Sequence, residues 1–266
     1  MARRLVATLL TAITALGVTT TPAQAADFTG AVKLNNCSGS LVRLPGSTQT
    51  DQALVLTNGH CVELMKPGAV LTGVPANRDF KLLDGSGKEL ATLKSTEIVY
   101  ATMTGTDAAL YRLDQTYQQI QRKHGGRALE LSASRPVAQS EIRIVSGYWT
   151  KIYSCQVDAV VHQVREAKWT WQDSLRYTRP CDTIGGTSGS PIVDAASGKV
   201  VGVNNTGNES GGRCTMNNPC EVDTAGEITV RKGIGYGQQT AGLVACFGPG
   251  SALDLTLPGC AVAKPQ

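Results

Sequence analysis

A hydroxyl set between glycines is the first feature of this chain that could do chemistry. In Cys181-Asp182-Thr183-Ile184-Gly185-Gly186-Thr187-Ser188-Gly189-Ser190-Pro191, little side-chain bulk hinders approach to Ser188. Such a loop can aim the N–H groups of Gly186 and Ser188 at one point, as stabilisation of a developing oxyanion requires. A plain glycine-rich surface turn would use the same residues. The second feature is Thr57-Asn58-Gly59-His60-Cys61, where a histidine follows the apolar run Ala53–Leu56. Its unperturbed pKa near 6.5 suits a general base, although a histidine packed at a core edge reads the same way. The third is Thr106-Asp107-Ala108-Ala109-Leu110-Tyr111. A carboxylate at the start of an apolar strand is costly to desolvate unless paired, and a histidine N–H is a suitable partner. An ordinary strand-capping aspartate is the alternative. His60 and Cys61 side by side do not make a metal site, because neighbouring side chains rarely converge on one ion without further ligands. No metal and no cofactor is expected.

The elements around these residues read as short β runs broken by turn signals. Ser40–Leu44 ends in Pro45-Gly46, Ala53–Leu56 leads to Asn58-Gly59, and Phe80–Leu83 ends in Asp84-Gly85-Ser86-Gly87. Leu90–Lys94, Glu97–Ala101 and Ala108–Leu113 follow, then Glu141–Val145 and Ala159–Val164. Ser190–Val193 and Val200–Val203 flank the turn Asp194–Gly198 as a hairpin. Short strands at this spacing predict an all-β sandwich or barrel and not βαβ units. The polar stretch from Gln115 to Gly126 separates two β lobes, with a helical turn expected over Tyr117–Lys123. The resulting division is an N-terminal lobe over 26–114, a linker over 115–135, a C-terminal lobe over 136–245 and a tail over 246–266.

Residues 1–25 carry a basic start at Arg3 and Arg4, a short apolar run and Ala23-Gln24-Ala25, which reads as a secretory signal peptide cleaved after Ala25. Its loss removes both arginines and lowers the formal charge from +4 to +2. No run of like charge points to nucleic acid or a membrane surface, so neither is an expected partner once the signal is cleaved. Export also sets the redox context: eight cysteines, an even number, favour disulfides over metal ligation. About 105 pairings are open. Sequential pairing is the simplest: Cys37–Cys61, Cys155–Cys181, Cys214–Cys220 and Cys246–Cys260, the last tying down the Gly/Pro-punctuated tail.

Together the three features resemble the chymotrypsin/trypsin family of serine proteases. The order His60, Asp107, Ser188 is that family's order. Cys37-Ser38-Gly39-Ser40-Leu41 and Cys61 are similar to its histidine-loop disulfide, and Thr57-Asn58-Gly59-His60-Cys61 to its T-A-A-H-C. Gly186-Thr187-Ser188-Gly189-Ser190-Pro191 resembles G-D-S-G-G-P, and more closely the G-N-S-G-S-P of bacterial glutamyl endopeptidases. The resemblance covers roughly Phe28 to Val244. It implies two antiparallel six-stranded β-barrels packed side by side, here with a disulfide-tied C-terminal tail. It further implies a secreted, extracellular serine endopeptidase with His60, Asp107 and Ser188 catalytic and Gly186 and Ser188 forming the oxyanion hole. Polypeptide substrates, proteinaceous inhibitors and a monomeric state accompany that expectation.

Two departures bear on activation and specificity. The family's zymogens pair a new N-terminus with an aspartate just before the serine, whereas this chain has Thr187 there and starts Ala26-Asp27-Phe28-Thr29-Gly30 after signal cleavage. Activation by that ion pair is therefore not available. Asp182, six residues before Ser188, stands where trypsin-like members bind Arg or Lys, but the glutamyl branch also has an aspartate there. That branch holds the substrate carboxylate with a histidine, and Val203-Asn204-Asn205-Thr206-Gly207 has none. Ile184 stands where trypsins usually place a cysteine. The expectation is a basic or small polar P1 residue, bound by Asp182, Asn205, Thr206 and Gly207, with glutamyl specificity or a non-catalytic peptide-binding role as alternatives.

Overall fold

The computed structural model describes residues 27–266, so the signal-peptide segment 1–25 lies outside the described residues. Eight strands form the first sheet: β1 (Ala31–Lys33), β2 (Ser38–Arg43), β3 (Gln52–Thr57), β4 (Val70–Pro75), β5 (Asp79–Leu83), β6 (Glu89–Thr102), β7 (Ala108–Thr116) and β8 (Leu129–Glu130). Six of them close into an antiparallel ring, β1-β5-β6-β7-β3-β2 and back to β1. Strand β4 adds onto β6, and β8 runs parallel to β2. The two runs read separately as Leu90–Lys94 and Glu97–Ala101 are one strand, β6, whose ladder shifts register between Ser95 and Glu97. Such a bulge bends a strand without ending it, so a long strand can serve two sides of a barrel.

The second sheet comprises β9 (Glu141–Ser146), β10 (Lys151–Glu166), β11 (Trp169–Tyr177), β12 (Pro191–Asp194), β13 (Val200–Gly207), β14 (Cys220–Val222), β15 (Ile228–Thr229) and β16 (Gly235–Gln239). Strands β9, β10, β11, β16, β13 and β12 close a second antiparallel ring, with β14 and β15 carried on β10. The fold is therefore the all-β double barrel that the resemblance implies. Between β7 and β8 the chain forms α1 (Tyr117–His124), whose Tyr117 and Ile120 pack into the first-barrel core. Thr116 starts it with a capping box completed by Gln119, and Gly125 in the left-handed region stops it. These two caps explain a full helix where the sequence pattern suggests only a helical turn. A short helix, α2 (Ala241–Val244), leads into the tail.

Each ring encloses its own apolar core, centred on Phe80, Leu82, Leu93 and Tyr111 in the first and on Ile144, Tyr153, Leu175 and Ile192 in the second. A third cluster joins them, with Leu54, Leu56 and Leu110 from the first barrel packed with Val200, Val203 and Leu243. Two indoles from β11 reach across: Trp169 Nε1 donates to Met65 O at 2.9 Å and Trp171 Nε1 to Met103 O at 3.1 Å. These two carbonyls satisfy the polar end of each ring, as buried tryptophans require. The tail, stapled by Cys246–Cys260, returns to the first barrel, where Tyr100 Oη donates to Ala263 O at 2.9 Å. Among the described residues no helix is long and apolar enough to cross a membrane.

Candidate active site

Strand pairing brings the histidine and the aspartate together. β3 and β7 are antiparallel neighbours in the register Leu56↔Leu110 and Thr57↔Ala109. His60 lies just beyond the end of β3 and Asp107 just before the start of β7, so the ladder delivers both to the same barrel end. Asn58, fully buried, donates its side-chain amide to Asp107 O at 2.7 Å and pins the two loops together. His60 Nδ1 then meets Asp107 Oδ2 at 2.8 Å, and the His60 backbone N–H donates to Oδ1 at 3.1 Å. The Asp107 side chain is fully buried, while that of His60 keeps 23 % exposure. Burial pushes the imidazole pKa down. The charge and hydrogen bond of Asp107, assisted by Glu166, outweigh that effect and hold it above 6.5. The disulfide Cys37–Cys61 closes the histidine loop and occupies both sulfurs next to His60, leaving no thiolate there to bind a metal.

The serine comes from the other barrel. Its loop is sewn to the first barrel by Ser38 N, which donates to Ser188 O at 2.8 Å, and to β13 by Gly189 N, which donates to Asn204 O at 2.9 Å. Gly189 has φ +82°, and a Cβ there would lie 2.1 Å from Ser38 O, so only glycine permits this approach of the two barrels. Ser188 Oγ donates to Asn205 O at 3.1 Å, and among the described residues it makes no hydrogen bond to His60. Asn205 O therefore sets the resting orientation of the hydroxyl. The N–H groups of Gly186 and Ser188 have no acceptor among the described residues. Thr187, buried, is satisfied inside the loop: its hydroxyl donates to Ile184 O and accepts from Ile184 N at 2.9 Å.

His60, Asp107 and Ser188 line one cavity of about 340 Å³ at the barrel junction, together with Asn205, Thr206 and Gly207. Asp182 lies outside it. That carboxylate is exposed and lines an adjoining hollow of about 200 Å³, of which Gly207 and Glu209 also form part. All eight cysteines are paired, in the sequential order.

The sequence matches the trypsin-like peptidase domain over residues 37–203, more than half of the chain. The chain belongs to the trypsin-like peptidase family. Solved structures of the same fold include the MamO protease domain from Magnetospirillum magneticum in its apo form, with TM-score 0.52 and 14 % identity over 84 % of this chain and 98 % of that one. The Rv3671c protease from M. tuberculosis in its active form gives TM-score 0.52 and 14 % identity over 91 % of this chain and 89 % of that one. No curated protein sequence matches this chain.

Two residues without a legible motif support the cavity and the Ser188 loop. Glu166, at the end of β10, is 5 % exposed and lines the cavity beside His60. Its two oxygens accept from Thr206 Oγ1 at 2.5 Å and from Asn217 N at 2.8 Å, which ties the cavity wall at Thr206 to β10. Burial raises its pKa above 4.5, and the two donors offset only part of that rise. Trp149, which follows β9, donates its indole N–H to Gly185 O at 2.7 Å. Neither has a local signal, because each acts on residues about 40 positions away in the chain. Four exposed apolar side chains, Leu64, Trp149, Ile184 and Met216, surround the cavity mouth or the Ser188 loop.

Proposed function

We propose that this chain is a secreted serine endopeptidase that cleaves peptide bonds through an acyl-enzyme, with His60, Asp107 and Ser188 as its catalytic residues. The observation that carries the reading is the His60–Asp107 pair at 2.8 Å, facing the cavity that Ser188 also lines. Asp107 holds the Nδ1 proton, so the other ring nitrogen of His60 is left to accept one. For reaction, Ser188 rotates its hydroxyl from Asn205 O to His60. Oγ attacks the substrate carbonyl carbon as His60 takes the proton, and the carbonyl oxygen gains negative charge. The N–H groups of Gly186 and Ser188 stabilise that charge, a contribution of about 3–4 kcal/mol for one donor in comparable sites. The C–N bond then breaks and His60 returns the proton to the leaving amine. Water, activated by His60, hydrolyses the ester and frees Ser188.

A basic P1 residue is favoured over a small polar one, because the hollow beside Gly207 carries two carboxylates, Asp182 and Glu209, and no basic side chain in its lining. The domain division at 114, 135 and 245, signal cleavage after Ala25 and a monomeric state belong to the same proposal. Labelling with a fluorophosphonate tests it: one adduct per chain on Ser188 is expected, and Ser188→Ala should abolish it. A non-catalytic peptide-binding role is the second reading, favoured by the Ser188–Asn205 hydrogen bond in place of one to His60. An intact chain that binds peptides yet takes no label on Ser188 would establish that role instead.

A further inference from the structure

The loop before Ser188 contains a β-turn, closed by Thr187 N donating to Ile184 O at 3.0 Å. Gly185 and Gly186 are its two central residues, and Gly186 has φ +86°. Positive φ at the third position marks a type II turn. The type I alternative differs by a flip of the central peptide, here the one between Gly185 and Gly186. Two successive glycines present no Cβ to resist that flip, so the loop's own sequence leaves the two forms close in energy.

Surrounding groups break the tie. The ends of the turn are held from both sides: Thr187 Oγ1 engages Ile184, and Gly186 O accepts from Ser38 Oγ at 3.1 Å. Among the described residues one hydrogen bond holds the central peptide itself, the Trp149 indole N–H on Gly185 O at 2.7 Å. Its peptide is trans, so the carbonyl of Gly185 and the N–H of Gly186 point in opposite directions. With the oxygen held by Trp149, the N–H faces away from the indole and stays without an acceptor among the described residues. A serine network seats the tryptophan: Trp149 N donates to Ser146 Oγ at 3.3 Å, and Ser146 Oγ lies 3.0 Å from Ser38 Oγ. Tyr148 supports the ring edge-on, with centroids 4.9 Å apart.

We propose that Trp149 is a positioning residue: its indole N–H selects the type II turn and so keeps the Gly186 N–H available to the oxyanion. The inference rests on the proteolytic reading of the site. In the flipped turn Gly185 O would replace the Gly186 N–H, presenting a lone pair where a donor is required. Losing the latch lowers the fraction of chains with a competent oxyanion hole and leaves ground-state binding of the peptide intact.

The test replaces Trp149 by Phe and, to preserve shape, by 3-benzothienylalanine, which exchanges the N–H for sulfur. With a peptide ester substrate, both variants should lose a factor of about 3 to 10 in kcat, the scale of one hydrogen bond, with KM within about twofold. Affinity for a peptide boronic acid, whose tetrahedral oxygen needs the hole, should fall in parallel, and the pH profile should keep its midpoint. Unchanged kcat and boronate affinity in the benzothienyl variant would overturn the latch. The amide resonance of ¹⁵N-labelled Gly186 provides an independent arm: it should shift in the benzothienyl variant, and its constancy would also overturn the latch. Absence of Ser188 labelling in the wild type would refute the proteolytic reading alone.

Discussion

Replacing Asp107 by Asn changes one atom in the His60 pair and has a consequence that the hydrogen bonds dictate. Asp107 accepts twice from the same residue, at Oδ1 from the His60 backbone N–H and at Oδ2 from its ring. An asparagine has one acceptor. The backbone N–H can only donate, so the amide oxygen must remain opposite it. Reversing the amide would bury an unpaired donor, at a cost of about 1–3 kcal/mol. The amide NH₂ therefore faces Nδ1, which must turn its lone pair inward, and the ring proton moves to the nitrogen that has to receive the Ser188 proton. The base is occupied by its own hydrogen. A loss of about 10⁴-fold in kcat is expected, the size found for this change in an enzyme with a Ser-His-Asp triad. The assay is kcat and KM on a peptide ester from pH 5 to 10, with thermal unfolding to verify the fold. A folded Asp107→Asn variant within tenfold of wild type would refute the reasoning.

His60 must be neutral to act as a base, and its pKa is raised above 6.5, so activity should climb as pH rises through that raised value. Glu166 is one cause of the rise, so Glu166→Gln should move the rising limb to lower pH; a limb moving upward would contradict the stated electrostatics. Removing the Cys37–Cys61 bridge with a double alanine variant frees a loop of sequence separation 24 and should cost about 3.5 kcal/mol in the chain-entropy account, read as a lower urea midpoint. An unchanged midpoint would show that the loop is already ordered in the unfolded chain. Asp182→Asn should lower kcat/KM for Arg and Lys at P1 by up to about fivefold, as an exposed charge pair contributes little, and leave small polar P1 residues unaffected. Equal losses for every P1 residue would remove Asp182 from specificity.

Legibility followed how local each signal is. His60, Asp107 and Ser188 stand close to the ends of apolar runs with a glycine within two residues of each, and their order in the chain is informative on its own. The all-β pattern was readable wherever a short apolar run is bounded by turn residues, as in β2, β3 and β7. Strands β4 and β16 gave no such pattern, because Gly73 and Pro75 interrupt one and Gly235 and Gly237 the other. In β16 packing requires a glycine at 237, since a Cβ there would lie 2.1 Å from Tyr177 Oη and 2.8 Å from Val203 O. Trp149, Glu166 and Ser38 could not be read at all. Their roles depend on Gly185, Thr206 and Gly186, which only the closure of the second barrel and its docking on the first bring near. The rotamer of Ser188, donating to Asn205 O, is likewise a property of the β12–β13 pairing and not of the G-T-S-G-S-P stretch.

Rapid mixing with an activated ester tests the covalent step most directly. The account predicts a burst of released alcohol equal in amplitude to the enzyme concentration, followed by slower steady turnover, with both phases lost in Ser188→Ala. Hydrolysis that persists in Ser188→Ala at the wild-type rate, or a folded wild-type chain that releases no alcohol, would contradict it.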